Sequence, residues 1–391
     1  MSTAAVLPSG PLLAAFYFFF LGSMGLMVSY LPLALQERGI SLAELSLLLL
    51  FPAGVRIMAP TLWGMLADRY ALAGPLLRVS AWVSLLAYLP LLSGEAWVVG
   101  VGLSCYVFIR IPASVLIDTL AFQKAAASGT SFGRYRLWGT VGYVLATLGG
   151  GYLAEAKGAS FTVASGLGAL LCAALLTLWL PPSRGVPSTA LWPALKALAV
   201  RRRFLLFMGA LMLHTTGQTT YDNFFPVHLE HLGIDRRLIG WSVAGGATCE
   251  VLVMAFSGRL MAKVGVERLL IGASLLAAVR WLLNATVTDP TWLVLIQLLH
   301  GITFGAWYTA AATWINAEAP REVQASAQGL LSVGSYGFGG ILAMLVGMGA
   351  GNHGGTTLQF QVCAVFALLA AGLSWGVRVR AASQDSSEAP S

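Results

Sequence analysis

Charged side chains are scarce in this sequence. Asp, Glu, Lys and Arg make up 10% of its 391 residues, while 57% of the residues are hydrophobic. A soluble domain carries about a quarter charged residues, so this composition predicts a protein that lies in a lipid bilayer. The net charge of +7 is spread over short loops and does not indicate nucleic acid as a partner.

The residues of metal and nucleotide chemistry are equally few. The chain has four cysteines, and each falls inside an apolar segment without the spacing of metal ligands. It has neither a Walker A loop for ATP nor an HExxH motif for zinc. We therefore expect no metal site, no cofactor and no catalytic residues, and we do not expect an enzyme.

Long apolar runs dominate the sequence. A helix needs about 20 apolar residues to cross a hydrocarbon core of about 30 Å. By that measure we predict an all-α integral membrane protein with twelve transmembrane helices. Their segments are 11–35, 42–66, 74–92, 96–121, 133–154, 159–180, 204–230, 237–261, 266–287, 291–317, 323–349 and 357–378.

The longest stretch without an apolar run divides these segments into two sets of six. It spans residues 181–203, is Pro-rich at its start and ends in three arginines. We interpret it as a cytoplasmic linker between an N-terminal six-helix bundle at 1–180 and a C-terminal six-helix bundle at 204–380. A disordered cytoplasmic tail at 381–391 is expected to follow.

The two halves repeat one another in sequence. A shift of 194 residues superimposes prolines, glycines and basic residues in four pairs: Pro32 on Pro226, Gly39 on Gly233, Gly64 on Gly258 and Arg69 on Lys263. One register that holds through two helices and two loops indicates duplication rather than coincidence. Two parallel, pseudo-symmetric six-helix bundles are typical of secondary transporters.

The basic residues predict the orientation in the membrane. If both termini are cytoplasmic, sixteen Lys and Arg side chains lie on the cytoplasmic side, and four lie outside: Arg38, Lys157, Arg236 and Arg237. The positive-inside rule therefore predicts cytoplasmic N- and C-termini. The membrane is expected to be a bacterial-type inner (plasma) membrane.

Asp118 and Arg136 are the charged pair on which the N-terminal half is centred. Each lies nine residues from Ala127, the middle of the short polar connection between two apolar helices. In an antiparallel hairpin they therefore lie at equal depth, inside a membrane where a charge is costly and usually functional. Tyr143 follows Arg136 by two turns on the same face. With Asn223 of the seventh helix, these residues are our candidates for substrate binding, and packing is the alternative for the aromatic ring.

Three titratable residues of the C-terminal half also share one depth. Glu250 and Arg280 each lie fifteen residues from Gly265, and Arg280 and His300 each lie ten from Pro290. A carboxylate that can take a proton when its arginine is withdrawn, beside an imidazole that titrates near neutrality, suits proton coupling. A helix–helix hydrogen bond is the alternative for a membrane histidine.

Arg56, Arg110 and Asp222 are the remaining charges inside predicted helices. Each could belong to a structural ion pair or to the transport site. Together with the residues above they give four arginines against three acids, which weakly favours an anionic substrate.

A short motif recurs at the cytoplasmic ends of two helices. Gly64, Asp68 and Arg69 fall between helices two and three, and Gly258 and Lys263 repeat part of the pattern between helices eight and nine. The motif resembles, in a partial form, the loop signature of the major facilitator superfamily. That resemblance implies a conformational role, with Gly allowing close helix approach; a solvated loop is the alternative.

Several motifs extend the resemblance to nearly the whole chain. FGRYRLWGTVGYVLAT beginning at Phe132, VR at 279–280 and LLH at 298–300 resemble the oligosaccharide:proton symporters of the lactose permease type. The related phenylpropionate-permease-like branch is matched at least as well, through RLWG at 136–139, CEV at 249–251, AVRW at 278–281 and QLLHGITF at 297–304.

The resemblance implies roles for particular residues. Asp118 and Arg136 would hold sugar hydroxyls, with Tyr143 stacking on the sugar ring, and Arg280 and His300 would belong to the proton-coupling network. This chain has Thr303 where the lactose permease type carries its proton-binding Glu, and Glu250 lies about one turn beyond that family's acid of helix eight. The proton site is therefore expected to have moved to Glu250.

We therefore expect a proton-coupled symporter that works by alternating access and imports a small organic solute. The solute is either sugar-like or nucleoside-like, or it is an aromatic carboxylic acid. A proton-driven antiporter that exports a drug-like molecule or metabolite is the alternative within transport. A transport-inactive membrane sensor or a membrane enzyme is a distant one. We expect a monomer.

Overall fold

The computed structural model describes residues 7–70, 73–130, 132–180, 201–319 and 329–387. Regular secondary structure in these ranges is helical throughout, and we number twelve helices in chain order. They are α1 (Gly10–Glu37), α2 (Leu42–Tyr70), α3 (Ala73–Tyr88, with a 3-10 turn at Leu89–Leu92), α4 (Ala96–Ser128), α5 (Gly133–Lys157), α6 (Ala159–Leu176, with a 3-10 turn at Thr177–Trp179), α7 (Arg202–His231), α8 (Arg236–Val264), α9 (Val266–Thr286), α10 (Pro290–Ile296 to Trp307–Glu318), α11 (the π-helical turn Val333–Phe338 and Gly339–Gly351) and α12 (Gly355–Ser387).

Ten of these helices are long and apolar enough to cross a membrane, as judged over the described ranges. The two that fall short on apolarity are α5 and α7, which have 25 and 30 residues and so are long enough to cross. They carry the predicted substrate residues Arg136, Tyr143 and Asn223. The helix count agrees with the twelve predicted segments. The two helices that fall short on apolarity both carry predicted substrate residues.

Local signals explain where the helices begin and end. At the start of α2, Ser41 and Glu44 form a capping box in which the Glu44 carboxylate accepts from the Ser41 backbone N–H at 2.9 Å. Asp289 caps α10 by accepting from two backbone N–H groups. Gly129 and Gly265 adopt positive φ where α4 and α8 end, a conformation that glycine alone adopts without strain.

The chain forms two compact units by internal contacts. Unit 1 is Met1–Ser188 with Leu229–Ala244, and unit 2 is Thr189–His228 with Gly245–Ser391. The boundary near residue 188 falls within the predicted linker, of which residues 181–200 lie outside the described ranges. The segment Leu229–Ala244, the end of α7 and the start of α8, was expected in the C-terminal bundle but is grouped with unit 1.

Ion pairs explain why Leu229–Ala244 belongs to unit 1. Arg236 Nη1 contacts Glu37 Oε1 at 2.5 Å, and its Nη2 contacts Glu230 Oε1 at 2.6 Å. Hydrogen bonds to Glu230 raise the pKa of Arg236 above its usual value, so the guanidinium stays charged. Glu37 also accepts from the backbone N–H groups at the start of α6, which favours an anion there.

Helix α1 is the central helix of unit 1, packed against α5 and α6. Its closest approach to α5 is at Gly142, where an added Cβ would lie 2.0 Å from the Phe18 backbone oxygen. No side chain fits there, so the two backbones touch, as they do where small residues pack membrane helices. This contact fixes the height of Tyr17, the neighbour of Phe18, against α5.

The core of unit 2 is aromatic. Phe207 of α7 stacks on Trp314 of α10 with ring centroids 4.0 Å apart, and His214 of α7 stacks on Trp307 of α10 at 3.9 Å. Helices α9 and α12 pack along one another beside these rings. The result is a dense unit in which the last part of α10, Trp307–Glu318, is packed against α7 at two stacked ring pairs.

Two sequence expectations need correction at helix ends. Gly64, Asp68 and Arg69 lie within α2, which continues to Tyr70 because nothing in that stretch breaks a helix; their side chains lie outside what is described. Gly258 lies within α8 as well, and an added Cβ there would meet no atom of the described residues within 4 Å, so close approach of a described helix does not explain this glycine. Lys263 is in the last turn of the same helix.

The C-terminal tail is the second correction. Helix α12 continues to Ser387, so the expected disorder does not hold for residues 381–387. The reason is local, because no Gly or Pro occurs between residue 377 and Pro390 to end the helix. Residues 388–391 lie outside the described ranges.

Candidate functional site

Asp118 of unit 1 is bound by a residue that the sequence did not single out. The hydroxyl of Tyr17, on α1, donates to Asp118 Oδ1 at 2.5 Å. Tyr17 is 1% exposed, so the bond is held in the interior of the unit. A charge-assisted bond of this kind is short and about twice as strong as a neutral one. Asp118 is therefore anchored to α1 as well as carried by α4.

Asp118 and Arg136 share Tyr17 and are not directly paired. Within the described ranges no ion pair joins them, and the Arg136 guanidinium lies 5.7 Å from the Tyr17 ring centroid. Arg136 also has no hydrogen-bond acceptor among the described residues. The acid and the base predicted at equal depth thus both contact one tyrosine, and the N–H donors of Arg136 remain available to a ligand or water.

Tyr143 and Asn223 are the other candidates for substrate binding. Tyr143 is half-buried on α5, two turns beyond Arg136, and the backbone of Gly25 in α1 packs against it. Asn223 belongs to unit 2, and its Nδ2 donates to the Thr219 carbonyl of its own helix at 2.8 Å. Both roles stay predictions.

Arg110 has a structural environment within unit 1. Its Nη2 donates to the Phe20 carbonyl at 2.7 Å, its guanidinium lies 4.0 Å from the Phe20 ring centroid, and Met24 Sδ is 3.2 Å from Nη1. No ion pair involves Arg110 in the described ranges, although Asp118 lies on the same helix. This arginine ties α4 to α1 through a carbonyl and an aromatic ring.

Arg56 and Asp222 are both half-buried, on α2 and α7. The Gln218 amide donates to Asp222 Oδ1 at 2.7 Å, from one turn earlier on the same helix. Their part in transport stays a prediction.

In unit 2 the structure brings Glu250, Arg280 and His300 into one hydrogen-bonded row. His300 Nε2 lies 3.0 Å from Glu250 Oε2, and Arg280 Nη1 lies 3.2 Å from His300 Nδ1. Arg280 is fully buried and His300 is 7% exposed, while the Glu250 side chain keeps 24% exposure. The expected direct pair of Glu250 with Arg280 is replaced by a relayed one, because the imidazole lies between them.

Neutral groups complete the surroundings of Arg280. Gln297 Oε1 accepts from Nη2 at 2.8 Å and Thr303 Oγ1 accepts from Nη1 at 3.1 Å. The guanidinium also lies 4.4 Å from the Tyr221 ring centroid and 4.6 Å from that of Trp281. A permanent charge is thus solvated by amide, hydroxyl and π faces, without a carboxylate in direct contact among the described residues.

The sequence reasoning missed Gln297 and its partner Asn284. The Gln297 amide nitrogen donates to Asn284 Oδ1 at 3.0 Å and to the Leu293 carbonyl at 2.8 Å. A signal was present, because Asn284 lies four residues after Arg280 and Gln297 three before His300. Residues three or four apart on a helix are neighbours on its surface.

The stretch of α10 that follows His300 departs from regular α geometry. Residues Gly301–Ala306 form a π-helical turn, a distortion that is frequent at functional sites. His214 of α7 holds this turn, since its Nε2 lies 2.8 Å from the Thr303 carbonyl and its Nδ1 3.0 Å from Ser274 Oγ. Thr303 is therefore fixed through both its hydroxyl and its backbone.

The described ranges contain no group of three or more His, Cys, Asp or Glu side chains arranged to hold a metal ion. The two clusters instead combine hydrogen-bond donors, acceptors and one titratable row. Such groups can bind a polar solute and exchange protons, and neither cluster places a nucleophile beside a general base as covalent catalysis needs.

The chain is similar to known proteins along most of its length. The model of the family described as "MFS_1 like family" matches residues 12–362. A maltose permease of Geobacillus stearothermophilus is 29% identical over 364 residues, which cover 90% of this chain and 91% of that protein. A probable 3-phenylpropionic acid transporter of Escherichia coli (strain K12) is 27% identical over 330 residues, covering 81% of this chain and 85% of that one.

A solved structure shares the fold. The crystal structure of the nucleoside transporter NupG superposes with a TM-score of 0.82, at 18% sequence identity, over 95% of this chain and 98% of that one. At this identity the likeness establishes the fold alone. The predicted twelve-helix major facilitator fold is confirmed.

Proposed function

Because this chain belongs to the MFS_1 like family, we propose that it is a proton-coupled symporter that imports a small polyhydroxylated solute, such as a sugar or nucleoside, by alternating access. The coarser statement stands without the proposal: the protein is a multi-pass membrane transporter of small molecules and not an enzyme. The proposal further places a single chain in a bacterial inner (plasma) membrane with both termini in the cytoplasm.

The row Glu250–His300–Arg280 is the observation that carries proton coupling. It contains one carboxylate with partial exposure, one imidazole and one guanidinium in hydrogen-bond contact. A carboxylate and an imidazole that share one hydrogen bond can take up a proton jointly. Because Arg280 is buried, its charge interacts strongly with any proton gained or lost by Glu250 or His300.

We infer the class of solute from Arg136 and Asp118. Arg136 offers N–H donors that no described residue accepts, and Asp118 is a carboxylate fixed by one hydrogen bond from Tyr17. A hydroxyl group both donates and accepts hydrogen bonds. The hydroxyls of a sugar or nucleoside can therefore donate to Asp118 and accept from Arg136. A carboxylate solute would meet repulsion from Asp118. The maltose permease named above is a relative whose name gives a sugar as its solute.

An aromatic carboxylic acid is the second candidate. The excess of membrane arginines over membrane acids and the similarity to the phenylpropionic acid transporter favour it. In this case Arg136 would bind the carboxylate and the rings of Tyr17 and Tyr143 would contact the aromatic group.

Transport by purified protein in proteoliposomes tests the proposal. An inward proton gradient is imposed and uptake of labelled maltose, uridine and 3-phenylpropionate is followed. We expect one of the first two to accumulate above its equilibrium level, and the accumulation to collapse when a protonophore removes the gradient. Accumulation of 3-phenylpropionate alone would select the second candidate. Proton-driven export of a cationic dye, with none of the three accumulated, would replace symport by efflux.

A further inference from the structure

We propose that Arg280 and the coupling proton compete for one atom, Nδ1 of His300, and that Gln297 is the positioning residue that holds Arg280 at that atom. The inference deepens the proposed proton coupling and rests on it. Gln297 was not among the candidates, and its position beside Arg280 gives it a specific part in the titration of the row.

The first step is the tautomer of His300. A guanidinium has only N–H donors, so Arg280 Nη1 at 3.2 Å requires a lone pair on His300 Nδ1. A neutral imidazole with a bare Nδ1 carries its proton on Nε2. That N–H then donates to Glu250 Oε2, 3.0 Å away, which accepts as a carboxylate. With Arg280 in place, His300 is neutral and fixed in one tautomer.

The second step is what a further proton does. When a proton binds Nδ1, the imidazolium presents an N–H to the guanidinium N–H, and two cations face each other at hydrogen-bond distance. Arg280 must then leave Nδ1, while the imidazolium keeps its bond to the Glu250 carboxylate as an ion pair. The balance is simple: one proton from water is bound at Nδ1, one hydrogen bond from Arg280 is lost, and release reverses both.

Groups from every neighbouring helix bear on this competition. Glu250 faces His300 from α8, and Arg280 faces it from α9. From α7 the Tyr221 ring centroid lies 6.0 Å from the His300 ring, and Asp222 and His214 interact electrostatically with Arg280. Glu250 is the one acid in direct contact with His300 among the described residues, so it favours the protonated imidazole that Arg280 opposes.

The third step assigns the role of Gln297. Its amide orientation is fixed, because Nε2 already donates to Asn284 Oδ1 and to the Leu293 carbonyl. Its Oε1 therefore points to Arg280 and accepts from Nη2 at 2.8 Å, which leaves Nη1 directed at His300 and Thr303. A neutral acceptor holds the guanidinium in place without the strength of a carboxylate, so a single proton can displace it.

Substitutions at Gln297 test the competition. Gln297→Leu removes the acceptor that holds Arg280, and we expect the midpoint of His300 protonation to rise by about one pH unit, a tenfold change in proton concentration. Gln297→Met, an unbranched side chain without the amide oxygen, is expected to raise the midpoint by a similar amount. Gln359→Leu is the matched control, because Gln359 is a buried glutamine of the same unit whose amide donates to the Gly347 carbonyl and shares no hydrogen bond with the row in the described ranges.

The readout is ¹⁵N NMR of histidine-labelled protein in nanodiscs, titrated without solute or gradient, with the His300 signals assigned from a His300→Gln variant. At neutral pH we expect an unprotonated Nδ1 and a protonated Nε2. The variants' thermal unfolding is checked alongside, and Gln297→Met, close in length to the native side chain, is the test variant if Gln297→Leu does not fold.

Two results would overturn the proposal: a proton on Nδ1 of the neutral-pH protein, or equal midpoints in wild type, Gln297→Leu and Gln297→Met. Either result is compatible with solute accumulation driven by a pH gradient in proteoliposomes, so the proposed function would survive it. Conversely, the expected NMR shifts in a protein that accumulates no solute would leave the competition intact and remove proton-driven import.

Discussion

The charged clusters of the two units differ in how completely the protein satisfies them. In unit 2 the buried Arg280 donates to three side-chain acceptors and lies against two aromatic rings. In unit 1 Arg136 is half-buried and has no hydrogen-bond acceptor among the described residues, and its guanidinium lies 5.7 Å from the Tyr17 ring centroid.

The difference suggests a division of labour. A charged side chain without a hydrogen-bonding partner is costly inside a membrane protein. Such a side chain is retained where a ligand supplies the missing partner. A charge enclosed by neutral acceptors in a closed row responds instead to the protons of that row. We therefore assign solute binding to the cluster of unit 1 and proton coupling to the cluster of unit 2.

The largest effect on solute affinity is expected from removing the charge of Arg136. Arg136→Gln takes away charge-assisted hydrogen bonds to the solute, each of which contributes about 1.5–3 kcal/mol. Two such bonds correspond to a loss of affinity of roughly 100-fold or more. Equilibrium binding of the identified solute, measured by scintillation proximity, checks this. Arg134→Gln is the control, because Arg134 is exposed near the start of the same helix. Unchanged affinity in Arg136→Gln would remove solute binding from unit 1.

A stability effect is expected where α1 meets α5. Gly142→Ala places a methyl group against the Phe18 backbone oxygen, and overpacking of this kind costs about 1–3 kcal/mol. The unfolding temperature should fall, and solute affinity should fall with it, because Tyr17 neighbours the displaced Phe18. Gly149→Ala on the same helix meets open space and should unfold like wild type. If both variants unfold alike, the close contact of α1 with α5 does not limit the stability of the protein.

A smaller effect is expected from the tyrosine hydroxyl. Tyr17→Phe keeps the ring beside Arg136 but removes the bond to Asp118, which lets Asp118 turn towards Arg136 and occupy donors that the solute needs. We expect solute affinity to fall about three- to tenfold, in line with the loss of one hydrogen bond. Tyr30→Phe is the control, since the Tyr30 hydroxyl donates to the Thr147 carbonyl. Equal affinities of both variants would make the Tyr17 bond merely structural.

The cluster of unit 2 could largely be predicted from sequence. Equal spacing from the loops at Gly265 and Pro290 placed Glu250, Arg280 and His300 at one depth, and the three are in contact. The argument works because straight helices joined by short loops convert sequence distance into depth. It gives depth but not direction, and for this reason it did not show that the imidazole separates the carboxylate from the guanidinium.

The cluster of unit 1 was harder to predict. Tyr17 lies in the run FYFFF, whose apolar character gives no hint of which ring faces a charge on a distant helix. Depth reasoning brought Asp118 and Arg136 close, yet the shared tyrosine depends on how α1 packs through Gly142. Such three-helix contacts are properties of packing, and one sequence contains no direct signal for them.

The division of labour is tested most directly by one paired measurement on Asp118→Asn and Glu250→Gln in proteoliposomes. For each variant, accumulation under an imposed proton gradient is compared with exchange of solute at equal concentration on both sides. We expect Asp118→Asn to lose both, because it no longer binds the solute. Glu250→Gln should lose accumulation and retain exchange, because it still binds the solute but no longer couples it to protons. Loss of exchange in Glu250→Gln with full accumulation in Asp118→Asn would contradict the assignment of the two clusters.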